Sequence, residues 1–137
     1  TMTGKISTRA EWIKNDVVDI LRGGVGDLGG LTPLMKVAHL AESFNMAMEV
    51  HGGKEGNLHA LGSMRLPGEF YERGLLHPHV DYEKPPDYLH EIMDPMDEEG
   101  FIHMPKGDGL GWKINHDYIN DNLISGNDNK EKARRSY

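Results

Sequence analysis

His51 closes the apolar stretch Met46-Ala47-Met48-Glu49-Val50 and precedes Gly52-Gly53. That is the strand-end position at which parallel α/β folds place their chemistry. An imidazole titrates near neutrality, so His51 can take or give a proton; it can also be a structural ring bonded to a loop carbonyl. Glu49, two residues earlier, shares a face with His51 in a strand and can orient or charge it, or satisfy another buried polar group. Glu72 ends the stretch Glu69-Phe70-Tyr71-Glu72. A carboxylate there can polarise a substrate oxygen, or form a plain ion pair with Arg73 or Arg22.

Two further patterns carry less. Gly24-Val25-Gly26-Asp27-Leu28-Gly29 fits the Gly-x-Gly-x-x-Gly spacing of a dinucleotide loop. The next strand, however, ends in His51 rather than in the acid that holds a ribose, and no Gly-Lys-Ser/Thr follows. A tight strand-to-helix turn explains the glycines as well. His77 and His79 flank Pro78 as two potential metal ligands without a third at recognisable spacing. His39 and His59 fall within helical stretches, and His90, His103 and His116 read as surface residues without companions.

The elements that must position these groups follow from periodicity and punctuation. Thr8 with Glu11 reads as a capping box opening an amphipathic helix through Ala10, Trp12, Ile13 and Val17. Residues 17–21 form a β-branched run expected to be a buried strand, followed by a glycine-rich loop over 22–30. Thr32-Pro33 predicts an N-cap and first helical residue. Leu34, Val37, Ala38, Ala41 and Phe44 give the apolar face of that helix, and Asn45 its C-cap. A strand over 46–51, a helix over 57–64 and a strand over 69–72 complete an alternation that implies parallel strands with crossover helices. Met35, Met46, Met48 and Met64 fall at core positions.

Beyond residue 75 the prolines Pro78, Pro85, Pro86, Pro95 and Pro105 predict an irregular wrapping segment. It contains one short strand over 101–104 and a helical turn or two over 115–122. The character of the chain thus changes near residue 75, and the polar stretch over 125–137 reads as a flexible tail.

Composition narrows the class. The 137 residues suit one domain. A formal charge of −7 argues against nucleic acid or an anionic membrane as partner. Without cysteine there is no disulfide framework, thiolate nucleophile or cysteine zinc site. Apolar runs are too short for a membrane span or a signal h-region, and a cytoplasmic address is expected.

Asp27-Leu28-Gly29-Gly30-Leu31-Thr32, then Lys36-Val37-Ala38-His39-Leu40-Ala41-Glu42, then Val50-His51-Gly52 together resemble the enolase superfamily. More closely, they resemble its mandelate racemase and acid-sugar dehydratase branch. Pro105-Lys106-Gly107-Asp108-Gly109-Leu110-Gly111 is similar to a glycine-rich stretch near that family's C-terminus, with Asp108 in place of a proline. The resemblance implies an α/β fold: the C-terminal portion of a (β/α) barrel, about three βα units. Its last strands and helices would lie over 1–74, with an irregular C-terminal wrapping segment over 75–124 that packs back on the barrel or a capping domain, and the tail over 125–137.

It also implies the function. The parent would be a magnesium-dependent acid-sugar dehydratase that abstracts the proton α to a carboxylate and eliminates water. Racemisation, epimerisation or cycloisomerisation shares that first step, and a non-catalytic fragment completed by a partner chain is the alternative of another class. In this mapping His51 and Glu72 are catalytic, and Arg22, Asp27 and Glu49 are substrate-pocket candidates. The Mg2+ ligands lie on earlier strands, outside this chain. Gly24 stands where the branch carries an aspartate that partners the histidine. Expected partners are a sugar-acid substrate and the remainder of the barrel or other copies of the chain, in a homo-oligomer.

Overall fold

A computed structural model describes residues 5–53, 56–73 and 84–124. His77, His79, the 74/75 boundary and the tail over 125–137 lie outside the described residues. Helix α1 (Ile6–Lys14) leads to strand β1 (Leu21–Gly23), the short helix α2 (Val25–Leu28) and helix α3 (Leu31–Ser43). Strand β2 (Met48–Val50), helix α4 (Asn57–Ser63) and, much later, helix α5 (His116–Asp121) follow.

The two strands run parallel, with Leu21 opposite Met48, Arg22 opposite Glu49 and Gly23 opposite Val50. Leu21, Gly23, Met48 and Val50 are buried, whereas Arg22 is exposed and Glu49 half-buried. The period-2 alternation thus sends one face to the helices and the charged face away from them. A third chain position is reached at Pro67, which bridges Met48 in parallel. The Met48 N–H donates to the Leu66 carbonyl at 3.3 Å, and the Gly68 N–H donates to the Met48 carbonyl at 2.7 Å.

The core is carried by α3. Leu34, Val37, Ala38 and Ala41, at i, i+3, i+4 and i+7, join Leu21, Leu28, Met48 and Ala60 in one buried cluster, as the helical period requires. Phe44 does not join them; it is the C-cap and 60% exposed. Asn45 follows with φ 53°, the left-handed residue that stops the helix. Met48 is buried in the core, and Met35, Met46 and Met64 pack against it.

Several boundaries depart from expectation, each for a packing reason. Helix α1 starts at Ile6 with Lys5 as N-cap, so Thr8 sits inside the helix and caps nothing. The earlier start seats Ile6 against the core beside Trp12 and Ile13. The run at 17–20 is not a strand: Val17 and Ile20 are 61% and 50% exposed. Pairing falls instead on Leu21–Gly23, because tertiary fit overrides β-propensity. A Cβ at Gly23 would lie 2.9 Å from Leu28 Cδ1, so only glycine lets α2 pack that closely.

The glycine-rich loop contains α2, which ends in Gly29 at φ 81° and hands over to Gly30 at φ 134°, the N-cap of α3. Helix α3 therefore begins at Leu31, ahead of Thr32 and Pro33. Residues 69–72 do not pair as a third strand. Gly68 lies against β2, where a Cβ would fall 2.5 Å from Glu49 Cγ. Beyond it Tyr71, Glu72 and Arg73 make side-chain contacts rather than a ladder. The strand expected over 101–104 shrinks to one antiparallel bridge, Met96 to Ile102. In α5, Asn115 is the N-cap, its side chain accepting from the Tyr118 N–H at 3.1 Å.

The later segment touches α4: Met104 Sδ would lie 3.0 Å from a Cβ at Gly62, and Leu110 Cδ2 3.4 Å from one at Gly56. Among the described residues no helix is long and apolar enough to cross a membrane.

Candidate active site

The His51 N–H donates to the Gly23 carbonyl at 2.9 Å, one bond past the last paired residue of β2. This places the ring at the carboxyl ends of both strands. Glu72 arrives at the same place from beyond the Pro67 bridge. Its Oε2 meets His51 Nδ1 at 2.9 Å, accepts the Gly52 N–H at 2.8 Å, and takes a hydrogen bond from Arg22 Nη2. His51 and Glu72 side chains are 30% and 29% exposed, half-sheltered at an open mouth.

Desolvation works against the charged form of Glu72. The Gly52 amide, the Arg22 guanidinium and the nearby His51 outweigh it and hold the carboxyl below its usual value. An ionised carboxylate on Nδ1 makes that nitrogen the proton donor. The lone pair of the neutral ring then lies at Nε2, which carries no hydrogen bond among the described residues. A ring fixed through one nitrogen and open at the other suits proton transfer.

The sequence-named residues divide. His51, Glu72 and Arg22 come together. Asp27 does not join them; its Oδ2 accepts the Gly24 N–H at 3.0 Å and closes the start of α2. Glu49 lies opposite Arg22 in register, with its side chain over Gly68 and no hydrogen bond to His51 among the described residues. His103 is not companionless: its Nε2 lies 2.7 Å from Asp97 Oδ2. That bond first, then the Phe101 N–H, lowers the Asp97 carboxyl from its ordinary value. Among the described residues no group of three or more His, Asp or Glu side chains can hold a metal ion.

Two supporting residues escaped sequence reasoning. Asn57, 2% exposed, accepts the Val25 N–H at 2.8 Å. Its Nδ2 donates to the carbonyls of His51 at 3.2 Å and Gly52 at 2.9 Å. One amide thus ties the start of α2 to the loop that carries the imidazole. Its signal is a polar residue opening a helix whose next positions, Leu58 and Ala60, are apolar. Arg9, 1% exposed, donates through Nε and Nη2 to the Arg22 carbonyl at 3.2 and 3.0 Å. Its signal is its spacing: Ile6, Arg9 and Ile13 share one helical face.

Comparison with known proteins gives two kinds of match. The family model described as Enolase C-terminal domain-like matches residues 3–118. Among solved structures, D-glucarate dehydratase from Agrobacterium tumefaciens, complexed with magnesium, is 48% identical with a TM-score of 0.81, over 90% of this chain and 32% of that one. An isomerase from Streptomyces coelicolor A3(2) is 23% identical with a TM-score of 0.62, over 82% of this chain and 30% of its own; that likeness concerns the fold. This chain spans about a third of the length of these structures.

Proposed function

The chain belongs to the enolase C-terminal domain-like family, an α/β barrel-like domain of which it holds a part, and from that premise we propose that it carries the proton-transfer groups of an acid-sugar dehydratase. The reaction is removal of the proton α to a substrate carboxylate, followed by loss of a β-hydroxyl as water. His51 Nε2 takes the α-proton or delivers one to the departing hydroxyl. Glu72 fixes the ring through Nδ1 and balances its positive charge when protonated. Arg22 holds Glu72 and adds positive charge near the place where the substrate carboxylate would sit.

Magnesium accompanies the Agrobacterium dehydratase structure, but no described cluster of this chain fits such an ion. The proposal assigns its ligands to residues outside this chain. A 137-residue polypeptide alone is accordingly expected to lack turnover, and the remainder of the barrel is its necessary partner.

One observation carries the reading: Glu72 occupies His51 Nδ1 at 2.9 Å while no described residue bonds Nε2 at the strand ends. The test is His51→Asn in an enzyme that includes this segment. Turnover of acid sugars should fall on the order of 10²–10⁴-fold, the usual worth of a positioned acid or base, with substrate binding retained. Exchange of solvent deuterium into the α-position separates the two roles: loss of exchange marks His51 as the base, and persistence marks it as the acid for the leaving hydroxyl. Unchanged turnover would remove it from catalysis.

A further inference from the structure

Glu72 is flanked by two residues that face a common partner. The Tyr71 hydroxyl donates to Asp94 Oδ2 at 2.9 Å, and Arg73 Nε stands 4.0 Å from Asp94 Oδ1. The Arg73 and Asp94 side chains are 9% and 2% exposed, so this pair is enclosed. A buried carboxylate is costly unless compensated, and here compensation comes from both sequence neighbours of one candidate catalytic residue. Side chains alternate in direction along an extended chain. Drawing Tyr71 and Arg73 toward Asp94 therefore turns Glu72 the opposite way, onto His51.

Asp94 comes from a distant part of the sequence, the wrapping segment that the antiparallel bridge between Leu89 and Ile114 steadies. It shares a small cavity with His59, Met93 and Trp112; among the described residues, His59, Tyr71 and Arg73 are the titratable groups around it. We propose that Asp94 is a positioning residue: it anchors Tyr71 and Arg73 so that the Glu72 carboxylate is presented to His51, the Gly52 amide and Arg22. The inference rests on the proposed role of His51 and Glu72 and adds a residue that touches neither.

The experiment uses the complete enzyme that includes this segment, with Asp94→Asn and Tyr71→Phe. For Asp94→Asn, kcat should fall roughly 10–100-fold, the cost common to residues that orient a functional group, with KM changed far less. The acid limb of the pH–rate profile should shift, because the imidazole loses the carboxylate that faces its Nδ1. A merely structural ion pair would leave that limb in place. The proton on His51 Nδ1, seen by NMR with labelled histidine, gives a readout that needs no turnover: it should be protected in the parent and exchange faster in the variant.

Tyr71→Phe removes one hydroxyl and should shift the same readouts less; it carries the test if Asp94→Asn does not fold. Unchanged limb and unchanged Nδ1 protection in the folded variants would overturn the inference, even if His51→Asn abolishes turnover. Full activity of His51→Asn would overturn the site reading and this inference with it.

Discussion

A Cβ at Gly24 would fall 2.4 Å from the carbonyl oxygen of His51. The backbone at Gly24 is extended, φ −139° and ψ 170°, so the constraint is space and not dihedral strain. The position where the resemblance calls for an aspartate therefore has no room for a side chain. The carboxylate on His51 Nδ1 is Glu72 instead.

Gly24→Ala should destabilise the fold by about 1–3 kcal/mol through overpacking, and Gly24→Asp by more. Urea denaturation measures both. Recovery of a functional pairing in Gly24→Asp, with stability intact, would contradict the close approach.

Asn57→Asp turns the Nδ2 donor into an acceptor facing the carbonyls of His51 and Gly52. Leaving buried polar groups unpaired costs roughly 1–3 kcal/mol each, so the variant should be clearly less stable than the parent. Faster amide exchange in the loop after β2 should accompany it. An unchanged denaturation midpoint would count against the bridging role.

Arg9→Ala leaves the Arg22 carbonyl without its guanidinium donor and should cost roughly 1–3 kcal/mol. Burial lowers the Arg9 pKa, and the charge of Asp27 works in the opposite direction. Arg9→Lys should not restore stability, because an ammonium cannot reproduce the two-pronged contact. Equal stability of the lysine variant and the parent would refute that geometry.

Glu72 links stability to pH in a definite direction. Its folded carboxyl lies below the ordinary value despite desolvation, through Gly52, Arg22 and His51. The unfolded chain therefore binds the proton more readily. The stabilisation is present above the unfolded value and is lost as pH falls through the folded one. Measured from neutrality into the acid range, stability of the parent should drop more steeply than that of Glu72→Gln. Parallel curves would show that Glu72 contributes no such linkage.

Much of the core was legible because α3 repeats its apolar residues at the helical period over a full face. His51 was legible for a different reason, since an apolar run that stops at His-Gly-Gly marks a strand end. What escaped is what neighbours impose at a distance. The β-branched run over 17–20 is the better local strand, yet Leu21–Gly23 pairs, because a glycine there admits Leu28 and the Arg22 carbonyl meets Arg9. Tyr71 and Arg73 look like strand residues until Asp94, brought in from the wrapping segment, supplies their partner. Asn57 could not be distinguished from a simple helix opener without knowing that two carbonyls point at it.

The two margins of the small sheet also differ from bare strand edges. In a parallel ladder a residue bonded through its neighbours turns its own amide groups outward. On the outer margin of β1, the Arg22 carbonyl is already occupied by Arg9. On the other margin, Pro67 bridges Met48 through Leu66 and Gly68 and has no N–H to offer outward. A strand supplied by the remainder of the barrel would thus meet a filled acceptor on one side and a missing donor on the other, so each margin offers it fewer backbone bonds than a bare edge.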